Sequence, residues 1–213
     1  MCAVSNNKAK KMLIIGLTGP SGAGKGTVSR LFEPYNIHSI DTDAVYHQLL
    51  IPPSPCLDEL REEFGDGIIS PDGGLDRRAL ADTVFSKGNG EKLERLNKIT
   101  HRYVLDVTRN ICREYEKKGC PAAIVDAPLL FESGFDSECD FTVSVLADRE
   151  LRLERIIQRD GISKERALAR LDAQKEDSFY TERSDEVIYN GSDIESLRDD
   201  VRRILISREV IPS

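Results

Sequence analysis

A glycine-rich segment near the N-terminus constrains the fold more than any other feature of the sequence. Residues 19–27 read Gly-Pro-Ser-Gly-Ala-Gly-Lys-Gly-Thr, after an apolar run at 12–17 and before a helical pattern at 25–32. Glycines allow several backbone N–H groups to converge on one phosphate, and a following helix N-terminus adds partial positive charge. The context is that of a phosphate-binding loop. The predicted nucleotide contacts are Gly22, Ala23, Gly24, Lys25, Gly26 and Thr27.

The lysine of this glycine-rich loop (residues 19–27) has a predicted catalytic role. Lys25 is expected to reach the β- and γ-phosphates of ATP and to neutralise charge during phosphoryl transfer. The usual pattern has Ser or Thr directly after the lysine, whereas Gly26 stands there and Thr27 follows. We therefore expect the Thr27 hydroxyl to approach Mg²⁺, with water completing the coordination. The alternative is a glycine-rich turn without a ligand.

Apolar runs alternate with helical patterns along the 213 residues. This alternation predicts an α/β fold, a three-layer sandwich around a five-stranded parallel sheet. The predicted strands are at 12–17, 37–40, 122–125, 141–146 and 187–189. We expect a flexible tail at 1–11 and a single domain at 12–213. Its predicted parts are a core at 12–50, 120–148 and 185–206, a helical insertion at 51–118 and a helical lid at 149–175.

Composition narrows the function classes. The net charge of −7 disfavours nucleic acid and anionic membranes as partners. Five widely spaced cysteines without a CxxC motif favour reduced thiols over disulfides or a zinc site. No apolar run approaches the length of a membrane span. These features predict a cytoplasmic protein. We also expect a monomer that acts on a small molecule.

Two acids follow the second predicted strand, in the order Asp41-Thr42-Asp43. Ligands of parallel α/β sheets bind at the carboxyl ends of the strands. One of these carboxylates can accept a proton from a hydroxyl that is being phosphorylated. The alternative is that Asp41 or Asp43 caps the following helix.

A basic segment at 149–175 holds eight basic and five acidic residues. Arg152, Arg155 and Arg159 recur at i, i+3 and i+7 and therefore share one helix face. Arginines near a transferring phosphoryl group stabilise developing charge, and a closing segment excludes water. We interpret the segment as a lid, although each single arginine also suits a solvated helix face.

Six segments, in unbroken order over most of the chain, resemble the dephospho-CoA kinase family. The matching segments are Ile40-Asp41-Thr42-Asp43; Arg77-Arg78-Ala79-Leu80 with Val84-Phe85; Leu96-Asn97-Lys98-Ile99-Thr100-His101; Asp126-Ala127-Pro128-Leu129-Leu130-Phe131-Glu132; Gln158-Arg159-Asp160-Gly161 with Arg170 and Gln174; and Val187-Ile188-Tyr189-Asn190-Gly191. The sequence departs from the family at Arg102, where proline is usual. The resemblance implies a P-loop kinase fold and phosphorylation of the ribose 3′-hydroxyl of dephospho-CoA by Mg-ATP.

The resemblance also implies roles for individual residues. Asp43 resembles the catalytic base. Asp41 resembles a supporting or metal-side acid and is expected on the substrate side. Arg159 and Arg170 resemble contacts of the ATP phosphates, and both are expected to close over the transition state. Asn190 is expected on the adenine side and Asp126 near the metal. Expected acceptor contacts are Arg77, Arg78, His101, Pro128, Leu129 and Leu130, although the two leucines suit core packing equally well.

Three alternatives stay open at this stage. The Gly-Lys-Gly-Thr sequence resembles the loops of adenylate and guanylate kinases, so a nucleoside monophosphate kinase is one rival. A nucleotide-binding switch without acceptor turnover is another, and an inert structural domain is the third. Acceptor-dependent release of ADP distinguishes them.

Overall fold

The computed structural model describes residues 11–85, 90–191 and 193–212. The flexible tail predicted for 1–11 lies, apart from Lys11, outside these residues. Two compact units divide the chain. The sheet unit comprises the described residues up to Ser39 and from Cys112 onwards, and the helical unit is Ile40–Ile111. The helical unit begins ahead of residue 51, where the insertion was predicted, because the helix after the second strand belongs to it.

Five strands form one sheet. They are β1 (Leu13–Thr18), β2 (His38–Asp41), β3 (Ala122–Asp126), β4 (Phe141–Leu146) and β5 (Glu186–Tyr189). Their order is β2-β3-β1-β4-β5, and β1 pairs in parallel with β3 and β4, as β4 does with β5. All six residues of β4 are buried, as expected of a strand covered on both faces. The predicted α/β class and five-stranded parallel sheet are confirmed.

Helices alternate with these strands and fill the chain between β2 and β3. They are α1 (Lys25–Arg30), α2 (Thr42–Leu49), α3 (Pro55–Phe64), α4 (Arg77–Val84), α5 (Gly90–Lys117), α6 (Arg149–Asp160), α7 (Lys164–Asp172), α8 (Asp177–Thr181) and α9 (Ile194–Ser207). Local chemistry sets several ends: Asp148 and Ser163 cap α6 and α7 through their side chains, and Gly161 ends α6 in the left-handed region. Within the described ranges, no helix is long and apolar enough to cross a membrane.

The core of the sheet unit packs tightly against β1. Ile15 and Leu17 are fully buried together with Val28 and Phe32 from α1 and the turn after it. On the other face, a Cβ atom at Gly16 would lie 2.8 Å from Leu130 Cδ2 and 2.9 Å from Cys139 Sγ. Glycine at this position therefore lets Leu130 pack directly on the sheet.

The helical unit has its own apolar core, built from α2, α3, α4 and the first part of α5. Cys56 and Leu60 are its most deeply buried members. Its described residues contain no strand of the sheet beyond the end of β2, apart from an isolated bridge between Ile69 and Leu75. Helix α5 passes Arg102 without a break, whereas proline there would remove a backbone donor from the helix.

Candidate active site

The glycine-rich loop joins β1 to α1 along a path that only glycine follows easily. Gly22 and Gly24 have φ angles of 81° and 90°, in the left-handed region. A Cβ atom at Gly22 would lie 2.6 Å from the backbone oxygen of Arg152, and one at Gly24 would overlap the Asn190 side-chain nitrogen. The loop is thus packed against α6 and the end of β5.

Three successive carbonyl groups of the loop accept hydrogen bonds from this packing surface. Arg152 Nε donates to Ser21 O over 3.1 Å; Arg155 Nη1 donates to Gly22 O and Ala23 O over 3.3 Å each; and Asn190 Nδ2 donates to Ala23 O over 2.8 Å. A carbonyl oxygen facing a phosphate would repel it. Because these oxygens are bonded to side chains, the loop is shaped to present N–H groups to an anion.

Lys25 and Asp126 meet at the carboxyl ends of two adjacent strands. Asp126 ends β3, which pairs with β1 so that Leu17 is level with Asp126. The Lys25 ammonium lies 3.7 Å from an Asp126 carboxylate oxygen, and each side chain is 17% exposed. This pair places one cation and one anion beside the glycine-rich loop, as expected of a site for a nucleotide with its metal.

Two predicted ATP contacts are joined by one carboxylate. Arg159 donates from Nε to Asp160 over 2.7 Å, and Arg170 donates to the other oxygen of the same carboxylate. These bonds, from Arg159 first, lower the pKa of Asp160 to about 2. Arg159 also donates to Ser21 Oγ over 3.3 Å, so the arginine pair is attached to the edge of the loop.

In the helical unit, the two predicted acids have different environments. Asp41 caps α2, because its Oδ1 accepts from the backbone nitrogens of Asp43 and Ala44 over 2.9 and 3.0 Å. The helix-cap interpretation is therefore confirmed for Asp41. Asp43 lies in the first turn of α2 and is exposed. Its carboxylate is not the cap acceptor of α2.

Arg77 is attached to the helix that carries Asp43. Its Nη2 lies 2.9 Å from His47 Nδ1, and His47 is four residues after Asp43, on the same face of α2. Arg78 is exposed beside Arg77 at the start of α4. Burial lowers the pKa of His101, which favours the uncharged form of its imidazole.

A groove of about 800 Å³ lies between α3 and α5 of the helical unit. Its lining includes the carboxylates Asp58, Glu59, Glu62 and Glu63 and the bases Arg95, Lys98 and Arg102. Arg95 is paired with Glu63 over 2.7 Å, and Arg102 with Glu59. Because carboxylates outnumber bases here, the groove is a poor site for a phosphorylated acceptor.

The residues near the loop suit Mg²⁺ better than a metal bound by protein alone. Within the part of the chain that the structure describes, no three His, Cys, Asp or Glu side chains form a metal-binding group. Asp126 and the Thr27 hydroxyl offer the oxygen donors that Mg²⁺ prefers. Mg²⁺ usually takes one or two protein oxygens and completes its shell with phosphates and water, which fits this donor set.

Sequence comparison decides the family. The family model described as dephospho-CoA kinase matches residues 13–196. The chain belongs to the dephospho-CoA kinase family. Members of this family phosphorylate dephospho-CoA with ATP in the last step of coenzyme A synthesis, and this is the reaction of the chain.

Relatives of the dephospho-CoA kinase family match nearly the whole chain. A Symbiobacterium thermophilum protein named dephospho-CoA kinase is 38% identical over 191 residues, which cover 89% of this chain and 79% of that protein. A Thermus thermophilus crystal structure has a TM-score of 0.76 at 32% identity and covers 93% of this chain and 98% of its own. The structure of the dephospho-CoA kinase of Campylobacter jejuni has a TM-score of 0.64 at 26% identity. The match covers 92% of this chain and 97% of that one.

The apolar acceptor surface predicted after β3 is only partly available. Leu129 is 53% exposed, and Pro128 is half-buried, with its carbonyl 3.4 Å from Thr18 Oγ1. Leu130 is completely buried against Gly16. The prediction that Leu130 contacts the acceptor was wrong, because the turn after β3 directs its side chain into the core.

Sequence reasoning missed the residues that hold the loop from outside. Arg152 and Arg155 were recognised as sharing a helix face with Arg159, but only Arg159 was assigned to the site. Asn190 was expected on the adenine side, and its side chain is 96% buried on the Ala23 carbonyl. The i, i+3, i+7 spacing of the arginines was the available signal. It identifies one face of α6 but not the loop carbonyls that this face meets.

Proposed function

We propose that this chain transfers the γ-phosphoryl group of ATP to the ribose 3′-hydroxyl of dephospho-CoA, with Asp43 as the general base. Lys25, Arg159 and Arg170 stabilise the phosphates, and Asp126 and Thr27 contribute to the Mg²⁺ site. The single observation that supports this most is the glycine-rich loop, whose carbonyls are bonded to Arg152, Arg155 and Asn190. Such a loop is shaped to bind a nucleotide triphosphate.

The proposed transfer is a single displacement. The acceptor oxygen forms a bond to the γ-phosphorus while the bond from that phosphorus to the β–γ bridging oxygen breaks, which releases ADP. The hydroxyl proton passes to the Asp43 carboxylate. A carboxylate suffices as the base, because the proton leaves late when the transition state is loose. In this account, Asp41 contributes by fixing the start of α2 and thereby the backbone at Asp43.

Charge stabilisation is assigned to the cations of the sheet unit. Lys25 lies at the start of α1, and Arg159 and Arg170 share the carboxylate of Asp160. Mg²⁺, when bound with ATP, neutralises the charge of the β- and γ-phosphates. We propose that Arg159 and Arg170 bind these phosphates while the Asp160 carboxylate keeps both guanidinium groups aligned, since each guanidinium has five donors.

The acceptor side is assigned to the helical unit and to the turn after β3. Arg77 and Arg78, at the start of α4, offer cations for the acceptor's phosphates, and His101 offers a neutral donor. Pro128 and the exposed Leu129 offer apolar contact to its adenosine.

A cytoplasmic location is proposed as well, because the free thiols suit a reducing compartment. These thiols are those of Cys56, Cys112, Cys120 and Cys139. A monomeric state is proposed as well, and light scattering of the purified protein tests it.

Replacement of Asp43 tests the proposed mechanism. Asp43→Asn keeps the shape of the side chain but removes the base, so kcat for dephospho-CoA should fall by about 10²- to 10⁴-fold. The Kd for Mg-ADP should stay within about twofold, because the loop is unchanged. Asp82→Asn, at an exposed position of α4, is the matched control and should keep kcat. Undiminished kcat in Asp43→Asn would exclude Asp43 as the base.

A further inference from the structure

Arg152 is a buried charged residue whose contacts the reaction described above does not use. It lies in the first turn of α6 and is only 5% exposed. A buried guanidinium is costly unless its donors are satisfied. Burial lowers the pKa of Arg152, and the carboxylate of Asp177 partly offsets this effect. Burial of the Arg152 charge therefore costs free energy that an apolar side chain at this position would not cost.

The guanidinium of Arg152 connects three separate segments of the sheet unit. Its Nε donates to the Ser21 carbonyl over 3.1 Å, its Nη2 to Gln174 Oε1 over 2.8 Å, and its Nη1 to Asp177 Oδ1 over 3.4 Å. Ser21 belongs to the glycine-rich loop, Gln174 follows the end of α7, and Asp177 begins α8. A planar group with five donors in a fixed arrangement is suited to hold three acceptors at once.

These contacts determine which way the loop faces. The backbone of Arg152 also touches the loop, since a Cβ atom at Gly22 would lie 2.6 Å from the Arg152 oxygen. Side-chain and backbone contacts thus fix two successive residues, Ser21 and Gly22. A Ser21 carbonyl released from Arg152 could turn toward the bound phosphates and repel them.

We propose that Arg152 is a positioning residue for ATP. It orients the Ser21 carbonyl away from the phosphates and anchors the loop to Gln174, within the predicted lid at 149–175, and to Asp177 just after it. This inference rests on the proposed function in one respect, because it assumes that the loop binds ATP phosphates. It predicts that loss of Arg152 weakens nucleotide binding more than it affects the acceptor.

The experiment compares Arg152→Gln and Arg152→Lys with Arg198→Gln, a control on α9 whose side chain is 56% exposed. Calorimetry gives the Kd for Mg-ADP, and kinetics give kcat and both KM values, at a temperature where circular dichroism shows every variant to be folded. Arg152→Gln should raise the Kd for ADP and the KM for ATP by about tenfold or more. The KM for dephospho-CoA should change by less than about twofold. Arg152→Lys should be intermediate, because one ammonium cannot reach three acceptors.

A partner substitution separates positioning from simple stabilisation. Asp177→Asn should raise the Kd for ADP by a smaller factor and should add little in the Arg152→Gln background, because the two residues act through one contact. Nucleotide constants equal to those of Arg198→Gln, with only the melting temperature lowered, would overturn the proposal. If Arg152→Gln does not fold, Arg152→Lys and Asp177→Asn apply the same criterion.

The test of Arg152 does not depend on the identity of the acceptor. Binding of Mg-ADP requires no dephospho-CoA, so a wild-type protein that binds ADP but does not phosphorylate dephospho-CoA would sink the proposed function while the role of Arg152 is still tested. Conversely, full activity of the wild type together with unchanged nucleotide constants in Arg152→Gln would refute only the role of Arg152.

Discussion

Truncation of Asn190 should weaken both the fold and the nucleotide site. Asn190 is 4% exposed, and its Nδ2 donates to the Ala23 carbonyl over 2.8 Å. Its Oδ1 accepts from Arg155 Nη2 over 3.4 Å. Asn190→Ala removes both bonds and leaves the Ala23 carbonyl with the longer contact to Arg155 alone. A buried polar group that loses a partner costs about 1–3 kcal/mol.

The expected loss of stability follows from these contacts. The broken bonds and the small cavity together should lower the free energy of unfolding by about 2–3 kcal/mol. For a protein of this length, about 2–4 °C of melting temperature corresponds to each kcal/mol, so the shift should be about 4–12 °C. Urea unfolding followed by circular dichroism measures the first quantity, and thermal melting the second.

The nucleotide readout distinguishes a loop contact from general packing. If Asn190 fixes the Ala23 carbonyl, Asn190→Ala should raise the Kd for Mg-ADP by about tenfold, equivalent to about 1.4 kcal/mol. Asn190→Asp keeps the size but replaces the donor with a negative oxygen facing the Ala23 carbonyl, so it should bind ADP no better than Asn190→Ala. Unfolding within about 0.5 kcal/mol of wild type, together with unchanged ADP binding, would refute this reasoning.

Two further predictions concern the sheet unit, and a third concerns a thiol of the helical unit. Gly16→Ala should destabilise the fold by about 1–3 kcal/mol, because its Cβ would lie 2.8 Å from Leu130 and 2.9 Å from Cys139. An unchanged free energy of unfolding in urea would contradict that packing. Asp160→Asn should raise the KM for ATP several-fold, because the carboxylate aligns Arg159 and Arg170. The melting temperature should change little, because these ion pairs are exposed. An unchanged KM would exclude the aligning role. Burial raises the pKa of Cys56 and of Cys112 from the usual 9.0 to about 11. The stabilisation from their protonated forms is therefore complete below about pH 9 and is lost as the pH rises through 11. Cys56→Ser should show a smaller decline in unfolding free energy between pH 8 and 10.5, and a decline equal to that of wild type would contradict the assignment.

Local signals in the sequence were sufficient for much of the fold. Each predicted strand overlaps an observed one, because buried parallel strands are short apolar runs bounded by turn residues. The caps Asp148 and Ser163 follow a similarly local rule, because a side-chain oxygen just before a helix satisfies its first N–H groups. These features depend on neighbours in the chain, so the sequence displays them directly.

Choices between adjacent residues required the structure. Leu129 and Leu130 are equally apolar, but the turn after β3 exposes the first and buries the second. Asp41 and Asp43 are both acids, and only the observed start of α2 shows that Asp41 is its cap. Both distinctions depend on a side-chain direction that composition and spacing leave open.

Contacts between distant segments were the least predictable part of the site. Arg152 and Arg155 meet loop carbonyls about 130 residues away in sequence. Helical periodicity shows that they share a face with Arg159, but the partner of that face depends on how α6 packs against the glycine-rich loop. The role of Asn190 likewise follows from the pairing of β4 with β5. This pairing places Asn190 so that its backbone N–H donates to the Leu146 carbonyl.

Acceptor specificity tests the central claim most directly. The measurement is ADP release from Mg-ATP by the wild-type protein with dephospho-CoA, compared with AMP, GMP, CMP and UMP, followed by phosphorus NMR of the product. The account predicts strong stimulation by dephospho-CoA alone and a product phosphorylated at the ribose 3′ position. Stimulation only by a nucleoside monophosphate, or ATP binding without turnover of any acceptor, would contradict it.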